Sequence, residues 1–138
     1  MSKHWPVCMV PGGGTAHGYS EEHSYCHGDG PALREAFAEL GPGEVLRSLD
    51  EMSLTFDDFS CVLVHQVSVP ALRELMDVVG LAEEKVVATV ADYGNMASAT
   101  IPAGFCLAVE RGVIKRGDRV LVIGLGAGIS LGIMMLRY

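Results

Sequence analysis

Ser60-Cys61-Val62-Leu63-Val64-His65-Gln66-Val67-Ser68-Val69-Pro70 decides the fold. Its first five residues show no polar alternation in the run Cys61–Val64, which predicts a strand buried on both faces and ending at His65. Pro70 suits the first turn of a helix, and Leu72, Leu75, Met76 and Val79 fall on one helical face, so a helix runs to about Val79. The same grammar returns downstream. Glu84–Ala91 reads as the next strand, running out near Gly94-Asn95, and a helix from about Ala97 to Arg111 buries Ile101, Phe105, Ala108 and Val109. Arg119–Gly124 and Ile129–Arg137 read as two last strands, joined by Gly124-Leu125-Gly126-Ala127-Gly128 and able to pair as a hairpin.

Upstream, Asp29 can cap a helix and Pro31 suits its first turn, with Leu33, Ala36, Phe37 and Leu40 at i, i+3, i+4 and i+7. Gly41-Pro42-Gly43 predicts a break, and a second helix resumes at Glu44 with Val45, Leu46, Leu49 and Met52 on one face. Residues 1–30 read as a loop-rich lead-in with one strand at Pro6–Val10, and residues 31–138 as the domain proper. The predicted order is α-α-β-α-β-α-β-β, a layered α/β architecture with a mixed sheet.

A chain of 138 residues is long enough to bury one sizeable core. Its 49% hydrophobic content is high for a domain of this size. No stretch reaches the ~18 uninterrupted apolar residues of a membrane helix, so the excess predicts a large interface covered by a partner. A net charge of −7 argues against nucleic acid, which selects a basic face. Met1-Ser2-Lys3-His4-Trp5-Pro6 leads into no apolar secretory segment, and Cys8, Cys26, Cys61 and Cys106 have no scaffold spacing. Reduced cysteines in a cytoplasmic protein are expected. His4, Cys8, His17, His23, Cys26 and His27 raise a zinc site as a rival, with His23-x-x-Cys26 close enough to chelate. No second pair has finger spacing, and no metal is expected.

Three groups capable of chemistry each follow an apolar run: His65-Gln66, then Tyr93-Gly94-Asn95, then Gly124 to Gly128. A His, an Asn and a backbone turn can hold a thioester carbonyl with two side-chain donors and present N–H groups to an oxyanion. Taken singly, each has a plainer reading. His65 could be a satisfied strand-end histidine, Asn95 a turn residue, and Gly124, Gly126 and Gly128 a tight bend between packed strands. A phosphate loop is excluded, because a strand rather than a helix follows the glycines.

From about Asp29 to Tyr138 the sequence resembles the C-terminal half of a 3-oxoacyl-[acyl-carrier-protein] synthase III, in the thiolase superfamily. Tyr93-Gly94-Asn95-Met96-Ala97-Ser98-Ala99-Thr100-Ile101-Pro102 is similar to the family's Asn motif. Gly112-Val113-Ile114-Lys115-Arg116-Gly117-Asp118 resembles its turn before the penultimate strand, and Gly124 to Gly132 its glycine-rich hairpin. The resemblance implies a thiolase-like fold, no cofactor, and His65 and Asn95 as donors to a malonyl thioester that loses CO2. It also implies the Ala127 N–H as an oxyanion donor. No cysteine here matches the family's nucleophile motif, since Cys61 lies in a strand and Cys106 in a helix, both read as small core residues. The implied partners are an N-terminal half bearing that cysteine, acyl-carrier-protein or CoA thioesters, and a second copy in a homodimer.

Two departures stand out. The family has one long helix where Gly41-Pro42-Gly43 predicts a break. Carrier-protein users continue the His-Gln pair with Ala-Asn and a helical Arg, where this chain has Val67-Ser68-Val69-Pro70. Relatives that condense two acyl-CoA thioesters or transfer an acyl group therefore stay open, as does a non-catalytic partner subunit. Plant-type polyketide synthases share Gly-Asn-Met but lack the His-Gln pair and rank lower.

Overall fold

The computed structural model describes residues 3–14 and 17–138. The lead-in contains one short antiparallel pair, β1 (Cys8–Met9) against β2 (His27–Gly28). The strand expected over Pro6–Val10 is shortened, because Trp5–Val7 winds into a 3-10 turn. Asp29 then caps α1 (Gly30–Glu51), accepting the Ala32 N–H at 3.0 Å.

The break expected at Gly41-Pro42-Gly43 does not occur. α1 is one helix of 22 residues with Pro42 inside it, so the chain keeps the long helix of its relatives-by-resemblance. An interior proline costs about 3 kcal/mol, since it removes an N–H and crowds the preceding turn. Tertiary packing outweighs that: Val45 and Leu49 are buried in one core with Leu72 and Met76. Continuity also turns the buried face to Ala36, Gly41, Val45 and Leu49. Leu40 and Leu46, assigned to apolar faces by the two-helix reading, are 40% and 43% exposed.

β3 (Cys61–Val64) is buried along its whole length, as expected. α2 (Val69–Val79) starts at Ser68, whose Oγ accepts the Ala71 N–H at 3.3 Å, and ends at Gly80 with φ +68°. The strand expected over Glu84–Ala91 is replaced by three things. Glu83–Lys85 is a 3-10 turn, Val86 makes a single parallel bridge to Val62, and α3 (Val90–Tyr93) is already helical. A 3-10 turn over Ala97–Ala99 feeds α4 (Thr100–Glu110), and the hairpin of β4 (Arg119–Gly126) and β5 (Ser130–Arg137) completes the chain.

β3 runs parallel to β4, Cys61 opposite Val120 and Val64 opposite Ile123, and β5 returns antiparallel to β4. Side-chain alternation along β3 and β4 sorts the core into two faces. Val62, Val64, Leu121 and Ile123 pack with Val45, Leu49, Leu72 and Met76 from α1 and α2. Cys61, Leu63, Val120 and Val122 pack with Ala108 of α4 and Ile114. Both faces of β3 and β4 are therefore covered within the chain, α1 and α2 on one side and α4 on the other, while Met134 and Met135 of β5 stay exposed. No partner is needed to cover these two strands. Gly104 is buried on α4 because a Cβ there would sit 3.5 Å from Leu63, close against the sheet.

Candidate active site

The His65 N–H donates to the Ile123 carbonyl at 2.9 Å. The β3–β4 ladder thus reaches one residue past β3 and fixes His65 at the carboxyl end of the parallel pair. Open α/β sheets hold their ligands at that end. The ring is half-buried, and burial pushes its pKa below the usual 6.5, while a hydrogen bond to the Ala97 backbone pulls the other way. Burial is the larger effect, so the imidazole is neutral at pH 7 and offers one N–H donor.

Asn95 lies on an exposed loop between α3 and α4. Its Oδ1 accepts the Ala97 N–H at 2.9 Å, a turn closed by the side chain itself. Ala97 stands at φ +49°, a left-handed conformation that a non-glycine residue rarely adopts. Its N–H is held by Asn95, and its backbone is the group that opposes burial in setting the His65 pKa. His65 lines the apolar cavity described below, whereas Asn95 lies outside its lining.

Gln66 was legible only as half of a dipeptide. It is 2% exposed, with Nε2 donating to the Val87 carbonyl at 2.8 Å and Oε1 accepting the N–H groups of Thr89 and Val90 at 2.8 and 3.0 Å. These bonds explain the missing strand, because the backbone groups a ladder would use are taken by a side-chain amide. A buried polar residue directly after a buried strand is the signal that could have found it.

At the hairpin, Gly124 pairs with Gly132 and Gly126 with Ser130. Gly128 has φ +123°, which favours glycine, whereas a Cβ on Gly126 would meet only the rotatable Ser130 Oγ, at 2.6 Å. Ala127 is exposed at the tip, beyond Leu125. Leu125 and His65 both line an apolar cavity of about 330 Å³ between α1 and α2, walled by Leu33, Phe37, Val45 and Leu75. Arg34 of α1 and Glu74 of α2 also line it and pair at 2.7 Å. The cavity falls in the size range of small-molecule sites, with the His65 ring and the Ser68 hydroxyl on its wall.

Cys61 is fully buried, and burial pushes its thiol up to about 11, far from a reactive thiolate. Cys106, expected in the core, is exposed instead. Thr100, Gly104 and Ala108 take the buried stripe of α4, which leaves Cys106 on the opposite side with Pro102 and Glu110. Among the described residues no three His, Cys, Asp or Glu side chains are grouped to hold a metal ion. His23 stacks on His17 with centroids 4.6 Å apart and meets Ser20 Oγ at 2.9 Å. No helix among the described residues is long and apolar enough to cross a membrane.

Residues 49–138 match the family model for the C-terminal part of 3-oxoacyl-[acyl-carrier-protein (ACP)] synthase III. The β-ketoacyl-[acyl-carrier-protein] synthase III 2 of Vibrio vulnificus is 33% identical over 90 residues, 65% of this chain and 25% of that protein. The synthase III of Symbiobacterium thermophilum is 31% identical over 114 residues, 83% of this chain and 34% of that protein. Among solved structures, the 3-oxoacyl-(acyl carrier protein) synthase III of Pseudomonas aeruginosa superposes with a TM-score of 0.81 at 26% identity. That match covers 97% of this chain and 40% of the other. The chain spans between a quarter and two-fifths of the curated relatives it matches. With the match covering the β3-to-β5 core and both candidate donors, the chain belongs to the 3-oxoacyl-[acyl-carrier-protein] synthase III family, to whose C-terminal part it corresponds.

Proposed function

We propose that this chain supplies the electrophilic half of a condensing site for acyl thioesters, with His65 and Asn95 as paired donors to one oxygen. The observation that carries the reading is the place of His65, at the carboxyl end of the parallel pair and on the wall of the apolar cavity. The Ala97 N–H holds Asn95 Oδ1 and leaves both amide protons of Asn95 free to donate, while burial holds the His65 ring toward its neutral form. Two neutral donors directed at one oxygen would suit an oxygen that gains charge during reaction.

In the proposed step a malonyl thioester loses CO2, and the electrons of the broken C–C bond form an enolate. His65 and Asn95 hydrogen-bond its oxygen. The enolate carbon then attacks an acyl-cysteine thioester, and the resulting tetrahedral oxyanion collapses and expels the cysteine thiolate. The Ala127 N–H is proposed as one donor to that oxyanion. The cysteine comes from an N-terminal half, in the same polypeptide or a separate subunit, and residues 31–138 act as the domain that docks on it. Acyl-CoA or acyl-carrier-protein thioesters are the substrates, no cofactor takes part, and the working form is a cytoplasmic homodimer. Pro70 near the start of α2 and the exposed Arg73 one turn on give the carrier protein a different basic contact from that of its relatives.

The test uses the chain reconstituted with its cysteine-bearing half. His65→Ala is expected to lower condensation by about 10²–10³-fold, the usual effect of removing one transition-state donor. A rate within two-fold of the parent would instead make the chain a scaffold subunit. The chain by itself is expected to turn over no acetyl-CoA with malonyl thioester.

A further inference from the structure

We propose that Gln66 is a positioning residue that sets Asn95 against His65, a role that rests on the donor reading above. Its backbone is fixed by the strand end that fixes His65. Its side chain directs every polar atom to the segment that leads to Asn95. Nε2 donates to the Val87 carbonyl at 2.8 Å, while Oε1 accepts the Thr89 N–H at 2.8 Å, the Val90 N–H at 3.0 Å and the Thr89 hydroxyl at 3.2 Å. Thr89 is fully buried, so this clamp is out of water's reach.

From the clamp to Asn95 the path is stiff. The Thr89 carbonyl accepts the N–H groups of Asp92 and Tyr93 at 3.2 and 2.9 Å, and the Val90 carbonyl accepts that of Gly94 at 3.0 Å. A displacement at Thr89 or Val90 is therefore passed through one closed helical turn to Asn95. The side chain must also donate and accept at once. Glu cannot donate to Val87, Leu can do neither, and Asn is one methylene too short to keep both ends of the clamp at full strength. Filling the core would need no amide here, and an apolar residue would leave three buried backbone groups unpaired. Gln66 touches no reacting atom in this scheme and acts only through the Asn95 loop.

The experiment is a double-mutant cycle in the enzyme reconstituted with its cysteine-bearing half. Gln66→Leu is expected to lower kcat on the order of 10²-fold, as a misplacement of about 1 Å does, with KM changed less than three-fold. Asn95→Ala is expected to lower it at least as much. Combining the two should cost no more than Asn95→Ala alone, within about two-fold, because a positioning residue has nothing left to position. Amide exchange should speed up at Thr89 and Val90 in the Gln66→Leu variant and stay unchanged at Val120–Ile123. If Gln66→Leu unfolds, Gln66→Asn carries the same comparison and is expected to retain part of the rate. Multiplicative losses overturn the role, as do faster exchange throughout β4 or a Gln66→Leu variant at full rate. Full activity of Asn95→Ala overturns the donor reading itself, and the positioning role with it.

Discussion

Asn95 Oδ1 accepts the Ala97 N–H at 2.9 Å, and this one bond separates the turn-making end of the side chain from its donating end. Asn95→Asp keeps a carboxylate oxygen for Ala97 and loses both amide protons. The expected outcome is an unchanged fold and thermal midpoint within about 2 °C, a shift no larger than surface substitutions produce. Condensation in the reconstituted enzyme should fall by about 10²–10³-fold, because a donor is lost and a negative charge faces the developing enolate. Asn95→Ala loses the turn as well and should show both a rate loss and a destabilised loop. A midpoint drop in Asn95→Asp equal to that in Asn95→Ala would mean the side chain serves the turn alone.

The strand β3, the helix α2 and the terminal hairpin were legible in the sequence because each is decided locally, by an uninterrupted apolar run, a Ser68-Pro70 start or a glycine-spaced turn. Two features were not. Pro42 predicts a break on local propensity, and only the burial of Val45 and Leu49 against α2 and the sheet reverses it. Val86–Val90 has the composition of a strand, but Gln66, 21 to 24 positions away, takes the bonds a strand would use. Pairing at that distance leaves no periodicity to read. His65 and Asn95 could be picked out by residue type, while the cavity that His65 lines and the Ala97 N–H that holds Asn95 Oδ1 needed the fold.

Gly43 lies inside α1, exposed, with nothing within 4 Å of where a Cβ would sit. Gly43→Ala is therefore expected to stabilise the chain by about 0.5–1 kcal/mol, the helix-interior difference between the two residues. Pro42→Ala should add up to about 3 kcal/mol, less whatever the proline gains by restricting the unfolded chain. Urea unfolding measures both. A loss of stability in Gly43→Ala would mean that α1 does bend at this point in solution.

His65 should titrate below its ordinary 6.5, since burial disfavours the charged ring more than the Ala97 contact favours it. The linkage follows from that direction. Above pH 6.5 the ring is neutral in folded and unfolded chains, and stability does not depend on it. As pH falls from 6.5 toward the lower folded value, the unfolded chain binds the proton first, so stability declines; below the folded value the slope vanishes. His65→Gln should flatten this segment of the stability–pH curve. An NMR midpoint for the His65 ring at or above 6.5 would contradict the neutral-donor geometry.

Cys61 and Cys106 are expected to part in reactivity. Cys61 is fully buried with its thiol pushed up to about 11, whereas Cys106 is exposed on α4. An aromatic disulfide reagent at pH 8 should label Cys106 and the exposed Cys26 in the folded chain and reach Cys61 only at the rate of unfolding. Cys61→Ala removes one sulfur from a packed site between Val120 and α4, which costs on the order of 1 kcal/mol. It should leave the rate of the reconstituted enzyme within two-fold, because the acyl-accepting thiolate belongs to the other half in the proposed scheme. Abolition of acyl-enzyme formation by Cys61→Ala, with the fold intact, would place the nucleophile in this chain and require the sheet to open around it.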